Sequence, residues 1–494
     1  MNKIRSEIKN NLSSLGKKLY GSHISELRKD SDLNDYSVTT SLANFDYSKN
    51  RINQESLNYL LEALDSLEVR KSLKELFEGE TENPTENQYV SHTIYRNKNF
   101  NENYKSILSE RDKMKSFLES SLEKRPFKNL ICISIGGSRL GPELLYEFQS
   151  LSDPVKVFFC SSYDLLELKD TLKSLKQKDT VIFISSKSFQ TSEILKNLSY
   201  VKSWLKRDPT SNIDDHLYAI SSNTAAMASH DIPKDNQFVI LDSLGGRYSV
   251  WSSISIPGFI NSDFECYLDF LEGASLADKY TLNEPWRNNI SAIMALLSVW
   301  NSNALKINNH AVFTYNFRLR SLTKYIAQLS MESNGKSINH KFYESPFNTS
   351  PLIWGGYGIE LQHSVFQWLL QGKTESSCDF IGVNNDSDES FDSHKMLLSQ
   401  VIALTEGKKD KVDPYKSIEG NTPCSVLQIN TLNLRSLGFI MALYEHKTFI
   451  EAIILGLDPF DQWGVQLGKN LVFTSKTNNK FFEEHFPQVF LPKC

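Results

Sequence analysis

Short apolar runs separated by helix-length segments recur along this 494-residue chain, and they constrain its fold more than any other feature. The first series has runs at residues 130–135, 155–159, 181–184, 216–220 and 238–241, and helix-length segments separate the first four. Strands that alternate with helices predict a parallel sheet covered by helices. Buried parallel strands are expected to be continuously apolar, and these runs fit that expectation.

A second series of the same kind predicts a second α/β unit. Its candidate strands lie at residues 312–315, 352–354, 380–383 and 426–429. Helical stretches are predicted near residues 318–333, 360–371, 391–406 and 434–455. We predict two α/β units of similar layout joined by a linker near residues 257–262.

The two ends of the chain have a different character. Residues 1–91 are polar, and leucines at helical spacing between Leu57 and Leu67 predict an amphipathic helix there. Residues 80–87 are expected to form an exposed loop because they are polar and contain Pro84. The chain after about residue 460 is predicted to be a separate helical arm.

Composition excludes several classes of protein. A hydrophobic content of 40%, a charged content of 23% and a net charge of -5 exclude a disordered chain, a collagen or a coiled coil. The charge also argues against a nucleic-acid partner recognised through a global basic field. No apolar run approaches the ~18 residues of a membrane span. Six scattered cysteines without a Cys-x-x-Cys motif predict reduced thiols in a cytoplasmic protein.

Two loops are candidates for phosphate binding. Residues 136–142 and 185–191 each follow a predicted strand and open a predicted helix, where backbone N–H groups favour an anion. An ordinary tight turn and a serine-rich helix cap are the alternatives. Two such loops at one sheet edge favour a phosphate site, and the absence of P-loop spacing favours a phosphomonoester over ATP. The side chains proposed to bind are those of Ser138, Ser186, Lys187, Ser188 and Thr191.

Further candidates suggest carbon-acid chemistry. Arg247 follows two glycines and could stabilise an oxyanion, although a surface turn is the alternative. Gln328 and Glu332 share one helical face, and Asn334-Gly335 predicts a helix end with a left-handed residue. Glu332 beside that end would suit proton abstraction from carbon, although a solvated glutamate is the commoner case.

Two candidates depend more on context than on a local pattern. His363 follows a strand and a glycine-rich loop, which predicts a place near the same sheet edge, although a lone histidine is more often structural. Gln462 and Lys469 could reach a sugar or its ring oxygen, but they mean little alone. No His, Asp or Glu cluster has metal-ligand spacing, so neither a metal nor another cofactor is expected.

Four segments together resemble the glucose-6-phosphate isomerase (phosphoglucose isomerase) family. They are residues 242–252, 331–336, 442–447 and 460–469. The resemblance implies two sugar-isomerase (SIS) domains, each an α/β/α sandwich with a parallel-rich sheet, in a homodimer with sites at the interface. It divides the chain into a helical N-terminal segment (1–91) on the large domain, a small domain (92–260), a large domain (261–460) and a helical arm (461–494).

The resemblance also implies roles for individual residues. Glu332 would move the proton between C1 and C2, Arg247 would stabilise the enediolate, and Lys469 with His363 of the partner chain would open the sugar ring. Glu193 would orient the catalytic histidine. Substrate would be contacted by Gly137, Ser138, Ser186, Lys187, Ser188, Thr191, Gln328 and Gln462.

The implied activity is the reversible isomerisation of glucose 6-phosphate to fructose 6-phosphate in glycolysis and gluconeogenesis. An enzyme that also uses mannose 6-phosphate and a non-catalytic sugar-phosphate-binding protein are the alternatives. The joint presence of Glu332, His363 and Lys469 favours an enzyme. The chain departs from the family pattern at Arg139, where aspartate is frequent, and at Gln466, where glutamate is common.

Overall fold

The computed structural model describes residues 1–29, 32–97, 104–124, 127–149, 155–384, 388–468, 470–471 and 485–486. Its strands are β1 (Ser37–Thr39), β2 (Ala43–Lys49), β3 (Glu82–Asn83), β4 (Gln88–Tyr89), β5 (Asn129–Ser134), β6 (Lys156–Cys160), β7 (Thr180–Ser185), β8 (Leu217–Ser221), β9 (Gln237–Val239), β10 (Asn309–Thr314), β11 (Leu352–Tyr357), β12 (Ser377–Val383) and β13 (Cys424–Ile429).

The α-helices are α1 (Asn2–Leu19), α2 (Ile24–Leu27), α3 (Gln54–Ser66), α4 (Val69–Glu78), α5 (Tyr104–Lys124), α6 (Gly137–Gln149), α7 (Leu166–Lys173), α8 (Ser192–Leu205), α9 (Thr224–Ser229), α10 (Ile256–Phe259), α11 (Phe264–Asn283), α12 (Ile290–Asn303), α13 (Leu322–Asn334), α14 (Gly358–Leu361), α15 (Phe366–Gln371), α16 (Asp388–Glu406) and α17 (Leu434–Leu455). In the part of the chain that the structure describes, no helix has the length and apolarity needed to cross a membrane.

The first predicted sheet is confirmed, with parallel strands in the order β6-β5-β7-β8-β9. Alternate side chains of β5 face opposite layers of helices, as the period of two requires. Ile131 and Ile133 belong to a hydrophobic cluster with residues of α7, α8 and α9. Leu130 and Cys132 belong to a second cluster with residues of α5 and α6. Helices therefore cover both faces of this sheet.

The second sheet contains the four predicted parallel strands in the order β13-β12-β10-β11. Phe313 and Phe380 pack in a cluster with residues of α15 and α16. On the opposite face, Val312 and Ile381 pack with residues of α12, α13 and α17. Both units are therefore α/β/α sandwiches with parallel-rich sheets, as the sequence predicts.

Two strands that the sequence analysis missed extend the second sheet. β2 pairs antiparallel with β13, and β1 pairs antiparallel with β2, so the N-terminal segment contributes strands as well as helices. In β2 the buried Phe45 and Tyr47 alternate with Asn44, Asp46 and Ser48 rather than forming a continuous apolar run. Antiparallel strands commonly take this alternating pattern, which a search for apolar runs does not detect.

The joint between the two sheets is buried. A linker is predicted at residues 257–262. The first three of these residues belong to the short helix α10, which packs on α6. Gln149 Nε2 donates to the Gly258 carbonyl over 2.5 Å, and a Cβ on Gly258 would lie 2.6 Å from Leu145 Cβ. The predicted C-terminal arm begins with a 3-10 turn at Trp463–Val465. Most of that arm lies outside the described residues.

Candidate functional site

One cavity of about 460 Å³ collects the predicted substrate-binding residues. It is bounded by the loops that follow β5 and β7, by α13, and by residues near positions 245 and 462. The predicted residues that line it are Gly137, Ser138, Ser186, Lys187, Ser188, Thr191, Glu193, Arg247, Gln328, Glu332 and Gln462. Lys469 lies outside the described residues.

The two candidate phosphate loops meet because their strands are neighbours. β5 and β7 are paired in parallel, with Ser134 opposite Ser185, so the loops that follow the two strands leave the sheet at the same edge. The glycine at position 137 begins α6 against Gly246, and a Cβ at position 137 would lie 2.2 Å from the Gly246 carbonyl oxygen. Glycine at this position therefore permits the segment that carries Arg247 to approach the start of α6.

Hydrogen bonds and an apolar anchor fix the loop between β7 and α8. The Lys187 carbonyl accepts from Ser221 Oγ at 2.7 Å and from the Ser222 N–H at 3.2 Å. Ser186 Oγ accepts from the Phe189 N–H at 3.3 Å. Phe189 has a φ of 53° and a fully buried side chain, so its packing holds the backbone in an uncommon conformation.

Arg247 is buried and held from several directions. Its Nε donates to Ser333 Oγ at 2.7 Å, and its Nη1 donates to Gln462 Oε1 at 2.9 Å. Its Nη2 donates to the carbonyls of Pro459 at 2.6 Å and Asp461 at 3.1 Å. Because the planar guanidinium is fixed by these acceptors, its charge has a defined position in the cavity wall.

Two further side chains contact the residues that accept hydrogen bonds from Arg247. Tyr248 Oη lies 2.9 Å from Ser333 Oγ, and burial raises the pKa of Tyr248, so this hydroxyl keeps its proton at neutral pH. Lys336 Nζ donates to the Asp458 carbonyl and to Asp461 Oδ1, both at 2.5 Å. Burial lowers the pKa of Lys336, and the Asp461 carboxylate opposes that effect.

Glu332 lies in the last turn of α13 and faces the cavity beside Gln328. Gln328 Nε2 donates to Glu332 Oε2 at 2.9 Å, as the predicted i, i+4 spacing requires, and Arg247 Nη1 lies 3.6 Å from the same oxygen. The helix ends at Asn334 as predicted, but Gly335 has a φ of -77° and is not left-handed. A Cβ on Gly335 would lie 2.4 Å from the Met331 carbonyl oxygen, so glycine is required there for space.

His363 does not lie in the cavity of its own chain. It is exposed in the turn between α14 and α15, after β11 at the edge of the second sheet. Its predicted position at the same sheet edge as the phosphate loops is wrong, because those loops follow strands of the first sheet. Glu193, its predicted orienting partner, lines the cavity and accepts from Ser192 Oγ at 2.9 Å.

The cavity also contains residues that the sequence analysis did not select. Asn83 and Glu86 come from the β3–β4 hairpin, which occupies the predicted exposed loop. No local pattern distinguishes them, because both lie in a short polar segment. Asp242 lines the cavity as well and accepts from Ser222 Oγ at 2.9 Å. Within the described ranges, no group of three His, Cys, Asp or Glu residues could hold a metal ion.

The two noted departures occupy different environments. Arg139 Nε donates to Glu143 Oε2 at 3.0 Å, and its Nη1 donates to Ser161 Oγ at 2.6 Å. Its charge is therefore satisfied by neighbours in α6 and in the turn after β6. Gln466 lines the cavity, so a neutral amide stands in the wall at the position where the resemblance leads us to expect a glutamate.

Comparisons with known proteins agree with one another. A family model described as phosphoglucose isomerase matches residues 46–484. The glucose-6-phosphate isomerases of Hydrogenovibrio crunogenus and Campylobacter jejuni subsp. doylei are each 33% identical, over 90% and 87% of this chain and 90% and 86% of their own lengths. A crystal structure of a glucose-6-phosphate isomerase from Chlamydia trachomatis superposes with a TM-score of 0.86 at 29% identity, covering 97% of this chain and 96% of that one. The chain therefore belongs to the phosphoglucose isomerase family.

Proposed function

We propose that this chain catalyses the reversible isomerisation of glucose 6-phosphate to fructose 6-phosphate in glycolysis and gluconeogenesis. The observation that carries the proposal is that Glu332, Arg247 and both candidate phosphate loops line one cavity in a member of this family. The comparisons favour neither a dual glucose and mannose enzyme nor a non-catalytic sugar-phosphate-binding protein.

The proposed chemistry is a proton transfer between adjacent carbons. The phosphate loops hold the substrate through its phosphate, and the ring opens to expose the aldehyde at C1. The Glu332 carboxylate takes the proton from C2 while electrons move onto the C1 oxygen, which gives a cis-enediolate. Arg247 supplies a fixed positive charge for that oxygen. The proton of the C2 hydroxyl passes to the C1 oxygen, the same carboxyl group returns its proton to C1, and the ketone forms at C2.

Ring opening is assigned to His363 and Lys469, and the histidine is proposed to come from a second subunit. Support comes from the position of His363, which is exposed and outside its own chain's cavity. We therefore propose a homodimer with shared sites, in which Glu193 orients the partner's His363.

The proposal also includes the division of the chain into domains at residues 91, 260 and 460. It further includes a cytoplasmic location, which is supported by the five described cysteines because all are free thiols.

The test of the base is Glu332→Gln, which keeps the size of the side chain and removes its basicity. Turnover should fall by about 10²–10⁴-fold, the usual effect of losing a general base. In D₂O the wild type should place deuterium at C1 of fructose 6-phosphate, and the variant should lose this exchange together with turnover. The matched control is Glu265→Gln, at an exposed position in the first turn of α11. Wild-type exchange in Glu332→Gln would show that another residue is the base.

A further inference from the structure

The β3–β4 hairpin of the N-terminal segment places a carboxylate against the phosphate loop. Glu86 Oε2 lies 3.3 Å from Lys187 Nζ, and Glu86 Oε1 accepts from Gln462 Nε2 at 3.3 Å. The two charged side chains are 27% and 29% exposed, so water screens their attraction only partly. Glu86 thus contacts one residue proposed to bind phosphate and one proposed to bind sugar.

Neighbouring contacts fix the hairpin in this position. Thr85 Oγ1 donates to Asp461 Oδ2 at 3.1 Å, and Asp461 is itself paired with Lys336. Gln88 Nε2 donates to Glu86 Oε2 at 2.7 Å, which orients the carboxylate across the turn. The contact between Glu86 and Lys187 is therefore built into the fold rather than made by a freely moving surface side chain.

Among the described residues, the charges that line the cavity do not match the charge of its proposed ligand. Among the described lining residues, Glu86, Glu193, Asp242 and Glu332 are acidic, whereas Lys187 and Arg247 are basic. Both basic groups already face a carboxylate, since Arg247 Nη1 lies 3.6 Å from Glu332. A cavity selected only to bind a phosphate dianion would gain affinity from an unpaired lysine, so the carboxylate of Glu86 calls for a different explanation.

We propose that Glu86 is a specificity-determining residue that lowers the affinity of the phosphate loop for anions lacking a sugar. Its carboxylate neutralises Lys187 and repels a bare dianion. It also accepts a hydrogen bond from Gln462 and so positions that side chain for the sugar. A ligand with hydroxyl groups can contact Gln462 and thereby offset the repulsion, whereas inorganic phosphate cannot. This inference rests on the proposed function, because it takes residues 186–191 as the phosphate site.

The test uses inorganic phosphate as a competitive inhibitor of fructose 6-phosphate isomerisation. In Glu86→Gln the inhibition constant for phosphate should fall about two- to fivefold, the range expected for releasing a partly exposed ion pair. The kcat/KM for fructose 6-phosphate should fall in the same variant, because Gln462 loses its charged acceptor. Glu86→Ala should show the same two changes without adding a donor, and Glu82→Gln on the same hairpin is the charge-matched control.

The opposite directions of these changes separate specificity from damage. A general loosening of the site would weaken phosphate and substrate together, so an unchanged or raised inhibition constant in both Glu86 variants would overturn the inference. Ser186→Ala provides the second arm, since the proposed function predicts weaker phosphate inhibition there. If Ser186→Ala has no effect, the phosphate site itself is wrong. If it weakens inhibition while the Glu86 variants do not tighten it, only the role of Glu86 is wrong.

Discussion

At the scale of single residues, the phosphate loop makes the most direct prediction. The double variant Ser186→Ala with Lys187→Ala removes a hydroxyl from the cavity and leaves the Glu86 carboxylate without its cation. A charge-assisted hydrogen bond contributes ~1.5–3 kcal/mol, so affinity for a phosphorylated sugar acid should fall about tenfold or more. The inhibition constant measures this change.

The chain offers a matched control for that double variant. Lys173 and Ser174 are an adjacent exposed lysine and serine at the end of α7, so replacing both by alanine makes the same chemical change elsewhere. The phosphorylated sugar acid should inhibit that control variant as it inhibits the wild type, and the variant should turn over substrate at the wild-type rate. An unchanged inhibition constant in the Ser186 and Lys187 variant would contradict the assignment of this loop.

A second residue predicts how stability depends on pH. Glu110 is buried and accepts from the Ser253 N–H at 2.8 Å, and burial raises its pKa to about 7. The unfolded chain, with the ordinary value near 4.5, ionises first as pH rises, so this carboxyl reduces stability progressively between pH 4.5 and 7. Above pH 7 the loss is complete and constant.

Glu110→Gln should remove that dependence. At ~1.4 kcal/mol per pKa unit, the free energy of unfolding of the variant should gain roughly 3 kcal/mol on the wild type between pH 4.5 and 8. Denaturant unfolding at both pH values and fixed protein concentration measures the difference. A difference that is the same at both pH values would mean that Glu110 does not titrate in this window.

At the scale of elements, the start of α6 depends on a glycine. In Gly137→Ala the new Cβ would lie 2.2 Å from the Gly246 carbonyl oxygen, so the segment carrying Arg247 must shift. A displacement of about 1 Å at a reacting group can cost on the order of 100-fold, and we expect kcat/KM to fall by that order. Gly464→Ala, where a Cβ would meet nothing within 4 Å, is the control. Wild-type kcat/KM in Gly137→Ala would show that the approach of these segments is not required.

Elements that form continuous apolar runs could be predicted from the sequence, and elements defined by partners could not. All nine predicted strands are present because buried parallel strands must be apolar throughout. β1 and β2 were missed because half of their side chains are polar, and β2 becomes a strand by pairing with β13.

The candidate site shows the same division. Gln328 and Glu332 were predictable because their contact is local, at i, i+4 on one helix. Glu86 was not, because it meets Lys187 across 101 residues and nothing in its own segment indicates that contact. His363 is not at the predicted sheet edge, because its strand at residues 352–354 belongs to the second unit whereas the phosphate loops follow strands of the first.

At the scale of the whole molecule, the shared site predicts complementation between inactive subunits. Chains carrying Glu332→Gln lack the base, and chains carrying His363→Ala lack the group proposed to act in the partner's site. A mixed dimer contains one site with both changes and one site with neither. Subunit exchange should therefore restore up to half of the wild-type activity per mixed dimer.

The measurement follows activity after the two purified variants are mixed under conditions that exchange subunits. Differently tagged chains report how much mixed dimer has formed. Homodimers of each variant, treated in the same way, give the baseline. Mixed dimers that form and remain inactive would contradict a histidine donated across the interface.

The pairing of β2 with β13 means that β2 cannot complete its sheet until nearly the whole chain has been synthesised. Asn50 Nδ2, just after β2, donates to the Cys424 carbonyl at 2.9 Å across 374 residues. At a synthesis rate of roughly 5–20 residues per second, about 20–75 seconds pass before β13 follows β2 out of the ribosome. The sheet of β5 to β9 emerges meanwhile and can assemble from its own strands. The edge of β2 that pairs with β13 therefore stays unpaired until β13 has emerged. A chaperone would protect this protein most during that interval, because unpaired strand edges favour aggregation.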